Sequence, residues 1–439
     1  MSKGAVNLYW EKEIETIPRQ ELVKLQEQRL QKTLEQAQKT PFYRELFRRN
    51  RLDPKKIKTL EDLRNIPPTT KEDLRNNFPY GFLAVPLEEV VRLHSSSGTT
   101  GTPTVIYHTA EDLERWTNQV ARCLYMVGVR RGDVFQNMMS YGLFTGGLGM
   151  HYGAERIGVL TIPIGPGNSK RQIWFMRNFK TTVIHIIPSY ALLLASIIKS
   201  EGLDPKEDLY LHTLLIGAEP HSEETRRRIE EAFGAKAYNS YGLSEMNGPG
   251  VAFECVYQEG MHLWEDYYYL EIVDPETLEP CPPGEVGEIL LTTLNRDATP
   301  IIRYRTRDLA FYYEEPCPCG RTHRRISRIR GRSDDMFIFR GVNIFPIQIE
   351  KVLMNIPEVG SNYRIILDRE DFKDTMKVEV EIKPEFFFGN LLKLERLRER
   401  IKAELRAEIL VTPDVILVEP GSLPASEGKA VRVIDQRKM

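Results

Sequence analysis

The segment His94-Ser95-Ser96-Ser97-Gly98-Thr99-Thr100-Gly101-Thr102-Pro103-Thr104 is built largely from small hydroxylated residues and two glycines. Such a backbone can curl so that its N–H groups converge on an anion, with Ser and Thr hydroxyls as further donors. A flexible linker can have the same composition, but here Val90-Val91-Arg92-Leu93 precedes the segment and Val105-Ile106-Tyr107 follows it. These flanks predict a strand–loop–strand hairpin inside a domain. The loop is not of the Walker A type, which places Lys directly after its second glycine to reach the β- and γ-phosphates. No Lys or Arg occurs from His94 to Thr109. A triphosphate held there needs positive charge from Mg2+ or from another part of the chain.

Two other clusters carry chemistry. Cys317-Pro318-Cys319-Gly320 is too short to hold zinc alone, but Cys255 and His262 lie upstream in a β-rich stretch. Three Cys and one His can make a closed, structural Zn2+ site, although the single-residue spacing in Cys317-Pro318-Cys319 demands a bent loop. Separate buried thiols and a surface histidine are the alternative. Arg321, Arg324, Arg325, Arg328, Arg330 and Arg332 crowd the second feature. They suit nucleic acid or phosphate binding, or an ion-paired linker beside a nucleotide site.

The elements that must position these groups alternate from about residue 90 to 240. Val159–Ile162, Val183–Ile187 and Leu214–Ile216 predict strands buried on both faces, with helices over 189–200 and 222–233 between them. Such alternation indicates an α/β layer architecture with a largely parallel sheet. Upstream, Leu22, Leu25, Leu30 and Leu34 predict helix over 17–49, and a short helix is expected after Thr70. After Tyr267 the texture becomes β-rich, with strands over 267–273 and 287–294. A compact α+β module follows, read as helix 346–356, strands 363–368 and 376–382, helix 390–408 and strand 415–418. The expected division is residues 1–331 for a large N-terminal domain and 332–439 for a small C-terminal one.

Composition narrows the function classes. The 439 residues hold 60 Lys plus Arg against 62 Asp plus Glu, for a net charge of -2, which argues against a dedicated nucleic-acid or membrane-surface protein. With 41% hydrophobic and 28% charged residues the chain is expected to be folded and soluble. The longest stretch free of acidic and basic side chains, Val134–Ala154, holds five glycines and is poor membrane-spanning material. No signal peptide is visible, and five unevenly spread cysteines do not make a disulfide framework, so a cytoplasmic location is expected.

The loop resembles the phosphate-binding signature of the adenylate-forming superfamily, which takes in acyl-CoA synthetases, luciferases and peptide-synthetase adenylation domains. The version here is most similar to the phenylacetate–CoA ligase family. The likeness is carried by Pro67-Pro68-Thr69-Thr70-Lys71, the loop itself, Tyr241-Gly242-Leu243-Ser244-Glu245, Tyr304-Arg305-Thr306-Arg307-Asp308-Leu309, Gly331-Arg332-Ser333-Asp334-Asp335-Met336 and Ser426-Glu427-Gly428-Lys429-Ala430, in that order.

The resemblance implies an adenylate-forming enzyme fold with a mobile C-terminal domain. It also implies an ATP- and Mg2+-dependent acid–CoA ligase. A carboxylate attacks the α-phosphate of ATP to give acyl-AMP and pyrophosphate, and the CoA thiolate then displaces AMP. ATP and AMP contacts are implied for Ser95, Ser96, Ser97, Gly98, Thr99, Thr100 and Gly101, and for Gly217, Ala218, Glu219 and Pro220. Tyr241 is implied at the adenine face, with Gly242 beside it, Ser244 near the α-phosphate, and Asp308 and Arg332 at the ribose. Glu245 would bind Mg2+, a hard ion suited to carboxylate oxygen. Lys429 would supply the missing cation in the adenylation step, and Asp334 would be the hinge. Tyr141, Phe144 and Gly146 lie where the family lines its aryl pocket, although core packing explains them equally well. An aryl carboxylic acid, first of all phenylacetate, is the expected substrate; another acid or acceptor is the alternative. A zinc-stabilised nucleic-acid binder is a remote third reading. No nucleic-acid or membrane partner is expected, and a homodimer is left open.

Overall fold

A computed structural model describes residues 8–96, 102–370, 373–387, 391–424 and 431–437. The helix expected over 17–49 is two helices, Arg19–Ala37 and Pro41–Arg49. Thr40 divides them by capping the second helix, its hydroxyl accepting the Tyr43 N–H at 3.1 Å. Pro41, with no N–H to donate, suits the first position of a helix and not the middle of one. The short helix after Thr70 is Lys71–Asn76, started by a reciprocal Thr70–Asp73 capping box.

The chain forms two compact units. The first comprises Met1–Gly165, Thr181–His185 and Tyr238–Arg328; the second comprises Pro166–Lys180, Ile186–Ala237 and Ile329–Met439. In the first, Val134–Asn137 pairs in parallel with Leu160–Ile162 and with Val183–Ile186. Leu160–Ile162 is not buried on both faces as expected: it is an end strand, and Leu160 is 57% exposed. Beyond Tyr238 the pairing turns antiparallel. Ala252–Glu254 joins Ser240 and Tyr241 on one side and Met261–Leu263 on the other, and Arg325–Ile326 adds to the latter. The β-rich stretch forms an antiparallel set of Tyr268–Val273, Gly287–Thr293 and Tyr304–Ala310. Every residue of Gly287–Thr293 is buried.

The second unit contains the fully buried strand Thr213–Gly217 and the helices Pro188–Ser200 and Glu223–Phe233. Its later part matches the α+β reading closely. Helix Pro346–Asn355 is followed by the antiparallel strands Val359–Glu370 and Lys373–Ile382, helix Leu391–Ile409, and the parallel edges Asp414–Val418 and Val433–Asp435. Ile349, Leu353, Ile365, Val378, Ile401 and Leu405 form a fully buried core there. Helix ends are cross-tied within this unit. Glu350 accepts from the Ser222 N–H (2.9 Å) and Thr225 hydroxyl (2.6 Å) at the start of Glu223–Phe233. Arg228 donates to the carbonyls of Met354, Ile356 and Val359 at and just beyond the end of the other helix. Of these partners, the Ser222 N–H and the Met354 and Ile356 carbonyls are backbone groups at helix ends, where partners within the helix run out.

Among the described residues, no helix is long and apolar enough to cross a membrane.

Candidate active site

The hairpin expected around the hydroxyl-rich loop is present: Arg92–Ser95 and Val105–His108 pair antiparallel, with Ser95 opposite Val105. Above the last pair, the Ser96 N–H donates to the Thr104 carbonyl (3.1 Å) and the Thr104 N–H to the Ser96 hydroxyl (3.0 Å). The base of the loop is therefore pinned. Ser97, Gly98, Thr99, Thr100 and Gly101 lie outside the described residues.

Tyr241 ends a strand, and the chain then doubles back through Gly242–Gly248. The close approach requires glycine at both ends. A Cβ on Gly242 would lie 2.6 Å from the Gly248 Cα, and one on Gly248 would lie 2.4 Å from the Leu243 nitrogen. Glu245 sits on this turn, 6% exposed, and its carboxylate accepts the Thr104 hydroxyl at 3.1 Å. The chain thus brings its expected Mg2+ ligand to the base of the phosphate hairpin, among oxygen donors that suit a hard cation. Beneath the turn, Arg296 donates to the Glu245 carbonyl (2.6 Å) and to Asn247 Oδ1 (2.5 Å). Burial lowers its pKa. Neither Thr104 nor Arg296 was among the expected site residues. Thr104 lay inside the quoted loop, but nothing in the pattern around Arg296 singles it out.

Tyr241 and Asp308 meet directly: the phenol donates to Asp308 Oδ2 at 2.8 Å. Asp308 sits inside the strand Tyr304–Ala310 and is 9% exposed. Ser244 is half-buried on the Glu245 turn.

Tyr141 is half-buried, and Asn137 donates to its hydroxyl at 3.0 Å. Burial pushes its pKa up to about 12, so the phenol stays protonated. Phe144, 41% exposed, directly precedes helix Thr145–Ile157, and Gly146 has only the Met139 side chain near its Cβ position. Its neighbours are packing glycines: a Cβ on Gly149 would lie 2.5 Å from Trp116 Cζ2.

In the second unit Gly217 ends its strand, and Ala218 takes a left-handed φ of 67° to turn the chain into Glu219 and Pro220. Glu219 accepts the Ser189 N–H at 2.6 Å, and burial raises its pKa. Arg332 grips Asp334 with two bonds of 2.9 Å, so the expected ribose contact and the expected hinge are an ion pair. Lys429 lies outside the described residues.

The four metal-ligand candidates converge. One donor atom each from Cys255, His262, Cys317 and Cys319 lies within 4.8 Å of the others. The Cys255 and Cys317 sulfurs are 3.6 Å apart, and Cys319 Sγ lies 3.2 Å from His262 Nε2. A tetrahedral site with Zn–S of about 2.3 Å separates sulfurs by about 3.8 Å, so the donors fit zinc. The His262 Nδ1 faces the His323 carbonyl at 3.1 Å, which leaves Nε2 as the nitrogen that could ligate a metal. Hydrogen bonds from Cys255 and Cys317 lower the Cys319 pKa, and Cys255 retains its proton more firmly. The bent loop that the spacing demanded is a turn closed by the Gly320 N–H on the Cys317 carbonyl (3.0 Å), with Gly320 at φ 82°.

Several of the crowded arginines make internal pairs. Arg321 and Glu15 form a fully buried ion pair, Arg324 lies over Tyr312 beside Glu265, and Arg325 donates to the Glu315 carbonyl.

A hydroxyl-rich hairpin, an acidic turn at its base and a C-terminal α+β module are the features expected of an adenylate-forming enzyme. Known proteins agree: the AMP-binding enzyme family pattern matches residues 22–295, and the AMP-binding enzyme C-terminal domain pattern matches 341–437. The chain belongs to the phenylacetate–CoA ligase family of these enzymes. It is 45% identical to the phenylacetate-coenzyme A ligase of Thermus thermophilus, over 98% of this chain and all of that one. It is 42% identical to that of Escherichia coli, over 97% of each. A crystal structure of 2-hydroxyisobutyryl-CoA ligase in the postadenylation state superposes with a TM-score of 0.94 at 32% identity, covering 99% of this chain and 94% of the other. The protein is an ATP-dependent acid–CoA ligase that works through an acyl-AMP.

Proposed function

We propose that the acid is phenylacetate or a close aryl analogue. The observation that carries this reading is the 41% to 45% identity, over 90% or more of the chain, to four phenylacetate-coenzyme A ligases. Tyr141 and Phe144 suit a flat ring, and Gly146 leaves room beside them. A hydroxylated aliphatic acid is the second reading, favoured by the match to 2-hydroxyisobutyryl-CoA ligase. Thioester formation across phenylacetate, hydroxyphenylacetate, indoleacetate, benzoate, 2-hydroxyisobutyrate and medium-chain acids tests it. Phenylacetate should give the highest kcat/KM; a preference for an aliphatic acid overturns the proposal.

In this reading Glu245 would hold Mg2+, which would offset phosphate charge, and the Ser95–Gly101 loop would hold the phosphates of ATP. Tyr241 packs against adenine, Ser244 lies near the α-phosphate, and Asp308 accepts ribose hydroxyls with Arg332 as a further contact. Gly217, Ala218, Glu219 and Pro220 line the nucleotide and acyl sites. Lys429, on the C-terminal domain 332–439, supplies the cation that the loop lacks, and Asp334 is the pivot between the two half-reactions.

Cys255, His262, Cys317 and Cys319 hold a structural Zn2+. Three sulfurs and one nitrogen close the coordination sphere, so this metal contributes to folding and not to the reaction. The reaction runs in the cytoplasm, where the five cysteines, none of them in a disulfide, stay reduced.

A further inference from the structure

The stretch Asn295-Arg296-Asp297-Ala298-Thr299 ties together three parts of the site. Asp112, at the start of helix Ala110–Met126, accepts the N–H groups of Asp297 (2.8 Å) and Ala298 (3.0 Å). Thr299 accepts the Tyr107 N–H at 3.0 Å, from the strand that leaves the phosphate loop. From this anchored stretch Arg296 reaches under the acidic turn. Its guanidinium donates to the carbonyls of Glu245 (2.6 Å) and Thr299 (3.4 Å) and to Asn247 Oδ1 (2.5 Å).

Arg296 is 5% exposed and, among the described residues, forms no ion pair. The nearest carboxylates, Asp112 and Glu245, act on it only from beyond ion-pair distance. Holding this charge buried is therefore costly, and an apolar side chain of similar size would fill the space at lower cost. An apolar side chain cannot hold two ends of a turn with a rigid, planar fork of donors. The turn needs holding, because Asn247 takes a left-handed φ of 54° and the Glu245 carboxylate must meet Thr104 across the gap.

We propose that Arg296 is a positioning residue that clamps the Glu245 turn through the Glu245 carbonyl and the Asn247 side chain, and so aims the Glu245 carboxylate at the Mg2+ of MgATP. The proposal rests on the reading of Glu245 as the Mg2+ ligand. It assigns Arg296 no contact with the acid, CoA or the adenine ring.

Titration calorimetry on the full chain, with MgATP in the absence of acid and with AMP in the absence of metal, tests it. Arg296→Lys keeps the charge and loses the fork; Asn247→Gly removes the fork's second partner at a backbone angle that glycine accepts. Each should weaken MgATP roughly tenfold, as expected for losing a charge-assisted hydrogen bond. AMP affinity should stay within about twofold, and the KM for MgATP should rise more than kcat falls. Glu245→Gln should show the same selective loss. If Glu245→Gln weakens MgATP while both other variants leave it unchanged, or weaken AMP equally, the positioning role is overturned. If Glu245→Gln leaves MgATP unchanged, the Mg2+ reading fails and takes the clamp with it. Should Arg296→Lys not fold, Asn247→Gly decides alone.

Discussion

Glu245 and Lys429 divide the electrostatic work of adenylation in the proposed reading. The first holds the metal at the base of the hairpin, and the second arrives from the C-terminal domain. A cation needed only as charge develops on the α-phosphate stabilises that step and not the later attack of the thiolate. Lys429→Ala should therefore abolish acid-dependent ATP–pyrophosphate exchange and largely spare thioester formation from supplied acyl-AMP. Equal loss in the two half-reactions would remove Lys429 from this role. The motif around Glu245 is legible as a string of residues, but its meeting with Thr104, 141 positions away, is not. Tyr241 and Asp308 are likewise separated by 67 positions and joined by one hydrogen bond.

At the scale of the element, the Gly242–Gly248 turn and the cysteine ribbon set the geometry. A methyl group on Gly248 would meet backbone at Leu243, which has no rotamer to move aside. Overpacking of this kind costs roughly 1–3 kcal/mol. Gly248→Ala should lower Tm and weaken MgATP, read by calorimetry; an unchanged Tm would mean that the turn can open. The ribbon depends on pairing. Arg325 lies opposite His262, so the strand after Cys319 brings the thiols to the imidazole. Protein purified without chelator should carry about one zinc per chain, and Cys317→Ser should carry below about one tenth, with a lower Tm in both the variant and chelated protein. Wild-type protein without zinc would return the four residues to ordinary packing.

For the whole molecule, the relevant division is between adenylation and thioester formation. In the family resemblance one C-terminal domain serves both steps by turning about Asp334. The Arg332–Asp334 ion pair is partly exposed, with side chains 32% and 51% accessible, so it is of modest strength and able to break and reform. Proline at 334 would fix φ and restrict the residue before it. Asp334→Pro should slow thioester formation more than pyrophosphate exchange, measured on the same preparation; unchanged thioester kinetics would count against a pivot there.

The α/β architecture, the hairpin, the C-terminal α+β module and the membership of the family were all legible in the residues. Periodicity and short motifs are local, and local pattern is what sequence displays. The break at Thr40–Pro41 shows the limit, because apolar spacing ran on through a position where capping and a missing N–H stop the helix. Tertiary structure alone decided which distant side chains share a space. It closed Cys255, His262, Cys317 and Cys319 into one cluster and turned several of the crowded arginines into internal partners. It also set Arg296 beneath Glu245. Burial and hydrogen-bond distance depend on how the chain returns on itself over tens to hundreds of residues, and no local pattern carries that information.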